Sequence, residues 1–69
     1  MCMAIPGKVL SVSKGKAMVE FLGQKKEADC SLMPCKPGEY VVVNAGFVVE
    51  KVPEKEAKES IELFKNGKC

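Results

Sequence analysis

The chain lacks several of the residues on which catalysis and nucleic-acid recognition usually depend. It has 69 residues with no arginine, histidine or tryptophan, so that all eleven basic residues are lysine. Without arginine there is no bidentate donor for phosphates or guanine edges. Without histidine, the usual general base and the commonest metal ligand near neutral pH are missing. Catalysis would have to rest on carboxylates, lysines, Tyr40 or the four cysteines, which is a small set of catalytic groups.

Long apolar stretches are also missing. The longest apolar run, residues 1–5, ends at Pro6, whereas a membrane-spanning helix needs about 20 apolar residues. We find no signal-peptide pattern, and we expect a cytoplasmic protein that does not bind a membrane. The composition, with 46% hydrophobic and 29% charged residues, is typical of a folded chain. At this length we expect residues 1–69 to form a single domain.

The order of apolar and turn-forming residues predicts mainly β structure. Turn signals at Lys14-Gly15, Gly23 and Gly46 separate short strand-like segments. These segments are residues 8–12, 17–21, 25–32, 40–43 and 47–52. In the third segment, period-two spacing would place Lys26, Ala28, Cys30 and Leu32 on one face. Because closure removes exposed sheet edges, residues 8–52 favour a small closed or nearly closed five-stranded barrel.

A single helix is predicted over residues 53–66. Pro53 suits the first turn of a helix, where its missing N–H group is not needed. Acidic residues in the first turn and lysine in the last turn match the helix dipole. One apolar stripe recurs at helical spacing and should pack against the barrel or a partner. Its members are Ala57, Ile61 and Phe64.

The N-terminal segment, residues 1–7, is the most informative part of the sequence because it contains a cysteine at position 2. If Met1 is removed, the thiol of Cys2 lies beside a free α-amine, whose charge favours the thiolate. The thiolate is the form that acts as nucleophile and metal ligand. At a chain end it also has the freedom to enter another protein's site. The alternative interpretation is a buried or incidental cysteine.

The opening Met1-Cys2-Met3-Ala4-Ile5-Pro6-Gly7-Lys8 resembles that of the HypC/HupF/HybG family of [NiFe]-hydrogenase maturation chaperones. Those proteins begin with Met-Cys, a hydrophobic residue, Ala, a branched residue, Pro, Gly or a small residue, and then Lys or Arg. Residues 1–8 match at every position. The resemblance continues through Leu32-Met33-Pro34, residues 36–41 and Ala45-Gly46-Phe47, and ends with the Glu/Lys-rich helix.

The resemblance implies an OB-like barrel with a C-terminal helix, acting as a metallochaperone rather than an enzyme. Such proteins associate with the HypD-type iron–sulfur scaffold protein, where iron carrying cyanide and carbon monoxide is assembled. They then bind the precursor of the hydrogenase large subunit. Carried over by position, Cys2 would engage the iron, a transient cargo and not a permanent cofactor, and a cysteine of the partner. We expect partner binding by Met3, Ala4, Ile5, Pro6, Gly7, Lys8, Pro34, Pro37 and Gly38.

The chain departs from the family pattern at one position of interest. The family usually places a histidine just before its small-Gly-Phe segment, and here that position is Asn44. An amide does not ligate iron as an imidazole does, so either the histidine is not essential or another group substitutes for it. The alternative is that Asn44 only makes hydrogen bonds at a strand end.

The remaining cysteines leave a zinc site open as an interpretation. Cys30 and Cys35 are separated by four residues, a spacing found in some zinc sites, but no second pair and no histidine follow. We expect Cys30 to be a core residue and Cys35 and Cys69 to be incidental. Two other functions therefore stay in competition with the chaperone: a thiol or zinc-binding module, and an OB-type nucleic-acid-binding module. The latter needs aromatic stacking platforms and a basic groove, whereas this chain has three Phe and one Tyr, so we expect no nucleic-acid partner.

Overall fold

The computed structural model describes residues 5–67, which form a five-stranded barrel and one helix. The elements are β1 (Gly7–Ser13), β2 (Lys16–Phe21), β3 (Gln24–Asp29), β4 (Tyr40–Asn44), β5 (Phe47–Val52) and α1 (Glu54–Lys65). The strands close in the order β1-β2-β3-β5-β4, and β4 pairs back onto β1. The predicted fold class, a small mainly-β barrel with a C-terminal helix, is confirmed. None of the described helical structure is long and apolar enough to cross a membrane.

Three two-residue turns connect the antiparallel hairpins of the barrel. They are Lys14-Gly15, Leu22-Gly23 and Ala45-Gly46, and both residues of each turn have positive φ. This is the type I′ pattern, whose twist matches that of the flanking strands. Glycine adopts the left-handed region freely, but leucine and alanine do so only under strain. The strand pairing therefore holds Leu22 (φ 50°) and Ala45 (φ 54°) in unfavourable conformations.

Small apolar side chains fill the interior of the barrel. The largest fully buried residues are valines, and alanines and two cysteines complete the cluster. Its members are Val9, Ala17, Val19, Ala28, Cys30, Cys35, Val41 and Val48. Five strands enclose a narrow interior, which small and β-branched side chains fill without overpacking.

The third strand ends earlier than the alternation of its residues predicted. One carboxylate oxygen of Asp29 accepts hydrogen bonds from the backbone N–H (2.8 Å) and the hydroxyl (2.6 Å) of Ser31. These bonds hold the pKa of Asp29 below its usual value, and they form a local turn that ends the strand. Leu32 is consequently 71% exposed, and Lys26 is also exposed. The predicted inward face is right for Ala28 and Cys30 only.

The helix packs on the barrel through one end and projects from it at the other. Ala57 is fully buried and Ile61 partly buried, whereas Phe64 is 40% exposed. A cleft of about 590 Å³ opens between the barrel and helix residues that include Lys58 and Ile61. An ion pair between Glu54 and Lys58, one helical turn apart, forms at 2.8 Å and raises the pKa of Lys58. The apolar stripe is thus only partly covered by the barrel.

Candidate partner-binding site

The first described residues lead into the barrel alongside β4. Ile5 is partly buried, and Pro6 and Gly7 are buried. The strands β1 and β4 are antiparallel, with Gly7 opposite Val41. In this register, the chain that precedes Gly7 follows β4 toward its last residue, Asn44. The pairing of β1 with β4 therefore directs Pro6 and Ile5 toward the end of β4, where the sequence departs from the family pattern.

Gly7 occupies a position with no room for a side chain. A Cβ atom built on it would lie 2.6 Å from Cε1 of Phe21 and would also overlap Cγ1 of Val19. Glycine allows β1 to approach these two side chains of β2 at the point where the N-terminal segment enters the barrel. This close approach gives a physical reason for a glycine in the opening motif.

Ile5 borders an open, largely apolar groove of about 630 Å³, which we call the N-terminal groove. Its lining residues are Ile5, Phe21, Lys26, Val42, Val43, Asn44 and Val49. The apolar members come from the entry segment and from β2, β4 and β5, and the polar members are Lys26 and Asn44. A contiguous apolar surface of this kind is typical of sites that bind another macromolecule.

A β-bulge helps to form the N-terminal groove. Val42 is opposite Glu50 and Val43 is opposite Val48, so that Val49 is the additional residue of the bulge. Such a bulge bends the strand and redirects side chains, and Val49 is 45% exposed. The candidate site residues predicted from the sequence did not include Phe21, Val42, Val43 or Val49. The consecutive valines in β5 were the only sequence feature that could have indicated this exposed surface, but the same pattern is equally typical of a buried strand.

Asn44 lies at the rim of the N-terminal groove, exposed to solvent. It is the last residue of β4 and is opposite Phe47 across the Ala45-Gly46 turn. The backbone N–H of Asp29 donates to the carbonyl of Gly46 (2.8 Å), which ties this turn to β3. The amide of Asn44 is therefore held on a firmly anchored hairpin beside Ile5.

The predicted docking loop, which contains Pro34, Pro37 and Gly38, lies at the other end of the β1–β4 ladder. The N–H of Gly38 donates to the carbonyl of Val9, and the N–H of Val9 donates to the carbonyl of Glu39, both at 2.8 Å. Pro34, Pro37 and Gly38 are exposed. Val9 is four residues from Ile5, roughly 13 Å along an extended strand. The structure thus brings Ile5 together with Asn44, but not with this loop.

Several of the candidate residues, namely Cys2, Met3, Ala4 and Cys69, lie outside the described residues. In the sequence, Cys2 precedes Ile5, which lines the N-terminal groove, by three residues.

Cys30 and Cys35 are both members of the core, with exposed fractions of 4% and 8%. The expectation for Cys30 is confirmed, whereas the expectation that Cys35 is incidental is wrong. Burial raises the pKa of the Cys35 thiol, and the neighbouring Cys30 raises it further. Within residues 5–67, no group of three cysteine or carboxylate side chains is arranged to hold a metal ion. The described part of the chain thus gives the zinc interpretation no support.

The fold and the N-terminal groove define a class of protein: a small closed barrel with a C-terminal helix and an open, largely apolar groove on its surface. The model of the HupF/HypC family matches residues 1–64. The chain belongs to this family, and the resemblance indicated by residues 1–8 is confirmed.

Individual relatives are similar along nearly the full chain. The hydrogenase maturation factor HypC of Helicobacter hepaticus is 36% identical over 67 residues, covering 93% of this chain and 78% of the relative. The protein of the same name from Synechocystis sp. is 34% identical over 68 residues, with coverages of 88% and 90%. Hydrogenase maturation factor HypC of Escherichia coli K12 is 26% identical over 73 residues, with coverages of 96% and 81%.

Proposed function

We propose that the chain is a hydrogenase maturation chaperone. In this proposal it helps to assemble an iron centre carrying cyanide and carbon monoxide and delivers it to the precursor of the [NiFe]-hydrogenase large subunit. It acts by binding, not as an enzyme, and its place of action is the cytoplasm. The observation that carries the proposal is the family match over residues 1–64, which includes both Cys2 and Ile5, a lining residue of the N-terminal groove.

Cys2 is the residue that we assign to the iron cargo and to a cysteine of the partner. A soft thiolate suits low-spin iron, and a ligand supplied from a chain end can be handed over between proteins. In the sequence, Cys2 is three residues from Ile5, which lines the groove. A partner that covers the exposed apolar side chains of the groove, such as Val49, would thereby bring its own site to Cys2.

Asn44 supports this arrangement in a different way from a histidine. Its side-chain amide offers two N–H donors and one carbonyl acceptor. We assign it hydrogen bonds to the partner or to the cyanide ligands of the cargo, in place of direct ligation of iron. Its position at the rim of the N-terminal groove, with Ile5, supports this role.

The proposed partners are a HypD-type iron–sulfur scaffold protein and the large-subunit precursor, bound one after the other. Sequential binding to one surface explains why a groove is open in the free chain. Exposed apolar residues are otherwise unfavourable on a small protein. Lys26 at the margin of the groove adds a positive charge that a partner's carboxylate can pair with.

A variant of Cys2 tests the proposal. We expect Cys2→Ala to keep the fold, because the residue precedes the barrel, and to abolish maturation in a strain that carries only this variant. Cys69→Ala is the matched control, since it removes the thiol near the other terminus and should keep maturation. Hydrogenase activity and large-subunit processing are the measurements. Unchanged maturation with Cys2→Ala would contradict the proposal.

A further inference from the structure

Two buried thiols lie next to each other in a part of the barrel that the proposed function does not use. Cys30 and Cys35 belong to the same core cluster, and the two thiols are near enough for Cys30 to raise the pKa of Cys35. Both cysteines are free. A pair of neighbouring thiols has a chemistry that a single buried cysteine does not have, because it can exchange two hydrogens for one sulfur–sulfur bond.

The backbone holds both cysteines in place from either side. The N–H of Cys30 donates to the carbonyl of Gly15 at 2.8 Å. Next to Cys35, the N–H of Lys36 donates to a carboxylate oxygen of Glu39 at 2.8 Å. Between these anchors, residues 31–34 form no helix or strand, and they include the highly exposed Leu32. The intervening segment can therefore adjust while the two sulfur atoms close to the bond length of about 2.05 Å.

We propose that Cys30 and Cys35 form a redox-sensitive dithiol that a peroxide converts to an intramolecular disulfide. The bond would close a ring over residues 30–35 and fix the adjoining loop that contains Pro34, Pro37 and Gly38. This loop is paired with β1 at Val9, so its conformation is coupled to the barrel wall. Reversible disulfides of this kind in reducing compartments are usually transient and regulatory.

The chemistry proceeds in two balanced steps. The more exposed thiol, that of Cys35, gives up its proton and attacks one oxygen of hydrogen peroxide. The O–O bond breaks, and a sulfenic acid and a first water are formed. The sulfur of Cys30 then attacks the sulfur of Cys35 and displaces hydroxide, which takes the proton of Cys30 and leaves as a second water. Two electrons pass from the sulfurs to peroxide, and a dithiol reductant reverses the change.

Burial sets the rate of this reaction. Because the thiolate is the reactive form and burial raises the pKa of Cys35, oxidation should be slower than at an exposed cysteine. Of the charged groups near Cys35, Glu39 raises this pKa and Lys51 lowers it. The pair would therefore respond to sustained oxidation rather than to brief exposure.

Mass spectrometry of the full chain tests the proposal, because the sequence separates this pair from the other thiols. Cleavage after lysine is blocked at Lys36-Pro37, so residues 27–51 form one peptide that contains Cys30 and Cys35 but not Cys2 or Cys69. After peroxide treatment under native conditions and alkylation, we expect this peptide to lose two hydrogens and to carry no alkyl group. A dithiol reductant should restore two alkylation sites. A peptide that stays doubly alkylated, or that is linked to Cys2, Cys69 or a second chain, would overturn the proposal.

Two further measurements separate the disulfide from other oxidation. Cys69→Ala should still form the internal bond, whereas Cys30→Ala should not, and its Cys35 should proceed to higher oxides. Since Cys30→Ala removes a core side chain, circular dichroism must first show that it is folded. If Cys30→Ala is not folded, the mass-spectrometry result with the natural chain decides the proposal. Hydrogen exchange at residues 31–38 should slow on oxidation, and an unchanged rate would overturn the inference that the bond fixes the loop.

Discussion

Gly7→Ala is the substitution for which the structure determines both the sign and the size of the effect. Gly7 is in β1, and its φ angle is not in the left-handed region. At such a position alanine would ordinarily stabilise the fold by roughly 0.5–1 kcal/mol, because it restricts the unfolded chain. Here the new Cβ atom would lie 2.6 Å from Cε1 of Phe21 and would overlap Cγ1 of Val19. Overlap therefore competes directly with the entropic gain.

The overlap should win because one of the two neighbours cannot move away. Val19 is fully buried in the core, and overpacking of a well-packed interior typically costs about 1–3 kcal/mol. Phe21 is only partly buried, and it can rotate, but only by disturbing the N-terminal groove that it lines. We expect a net destabilisation of about 2 kcal/mol. For a domain of this size that corresponds to a decrease in Tm of roughly 8–16 °C.

Thermal and urea unfolding of the natural chain and the variant, followed by circular dichroism, measure this loss. Phe21→Leu provides the matched background for a double-mutant comparison, since it removes the aromatic ring that would overlap the new Cβ atom. In that background Gly7→Ala should cost at least 0.5 kcal/mol less, the range of coupling found for residues in contact. A stability equal to or above that of the natural chain would refute the close approach of β1 to β2 at Gly7.

Three other predictions concern the turn, the buried thiol and the groove. Leu22→Asn should stabilise the chain by about 1 kcal/mol in urea unfolding, because asparagine tolerates the left-handed conformation that strains leucine; no gain would contradict the strain. Since the fold raises the pKa of the Cys35 thiol, this thiol loses its proton at a lower pH in the unfolded chain than in the folded chain. The protonated thiol therefore contributes to the free energy of unfolding below about pH 9, and this contribution is lost as the pH rises further. Cys35→Ala should flatten this alkaline loss in pH-dependent urea unfolding, and an unchanged slope would contradict it. Val49→Ser should reduce co-purification of the scaffold partner at least tenfold with little loss of stability. Val12 is exposed on β1 outside the groove, so Val12→Ser should leave co-purification unchanged. Equal effects of the two substitutions would show that the groove is not part of the partner-binding surface.

Local sequence signals were sufficient for the barrel and the helix because each depends on short-range chemistry. The glycines at the second position of the Lys14-Gly15 and Ala45-Gly46 turns mark hairpins through their positive φ. The acidic start of α1 and its ion pair between Glu54 and Lys58 follow from neighbours within one helical turn. Such features need no knowledge of the rest of the chain.

The features that the sequence did not predict depend on competition between local and distant pairing. The end of β3 is set by hydrogen bonds between Asp29 and Ser31, which overrule the alternation that extends to Leu32. The exposure of Val49 results from a bulge in the β4–β5 register. A sequence of consecutive valines does not show which residue is the additional one in a bulge. A bulge of this kind can be located only from the partner strand.

The proximity of Ile5 to Asn44 and the burial of Cys35 likewise need the tertiary structure. The first follows from the antiparallel register that places Gly7 opposite Val41, across more than thirty residues of sequence. The second follows from the hydrogen bonds that join Val9 to Gly38 and Glu39. They draw a proline-containing loop, which reads as exposed, onto the core.

In the proposed function, partners bind where the N-terminal segment meets the N-terminal groove. Hydrogen exchange on the complex with the iron–sulfur scaffold partner, compared with the free chain, tests it most directly. We expect slower exchange at residues 5–8 and 42–49, with residues 58–65, four of which line the separate cleft beside α1, unchanged. Protection confined to α1, with residues 5–8 and 42–49 exchanging as in the free chain, would contradict the claim.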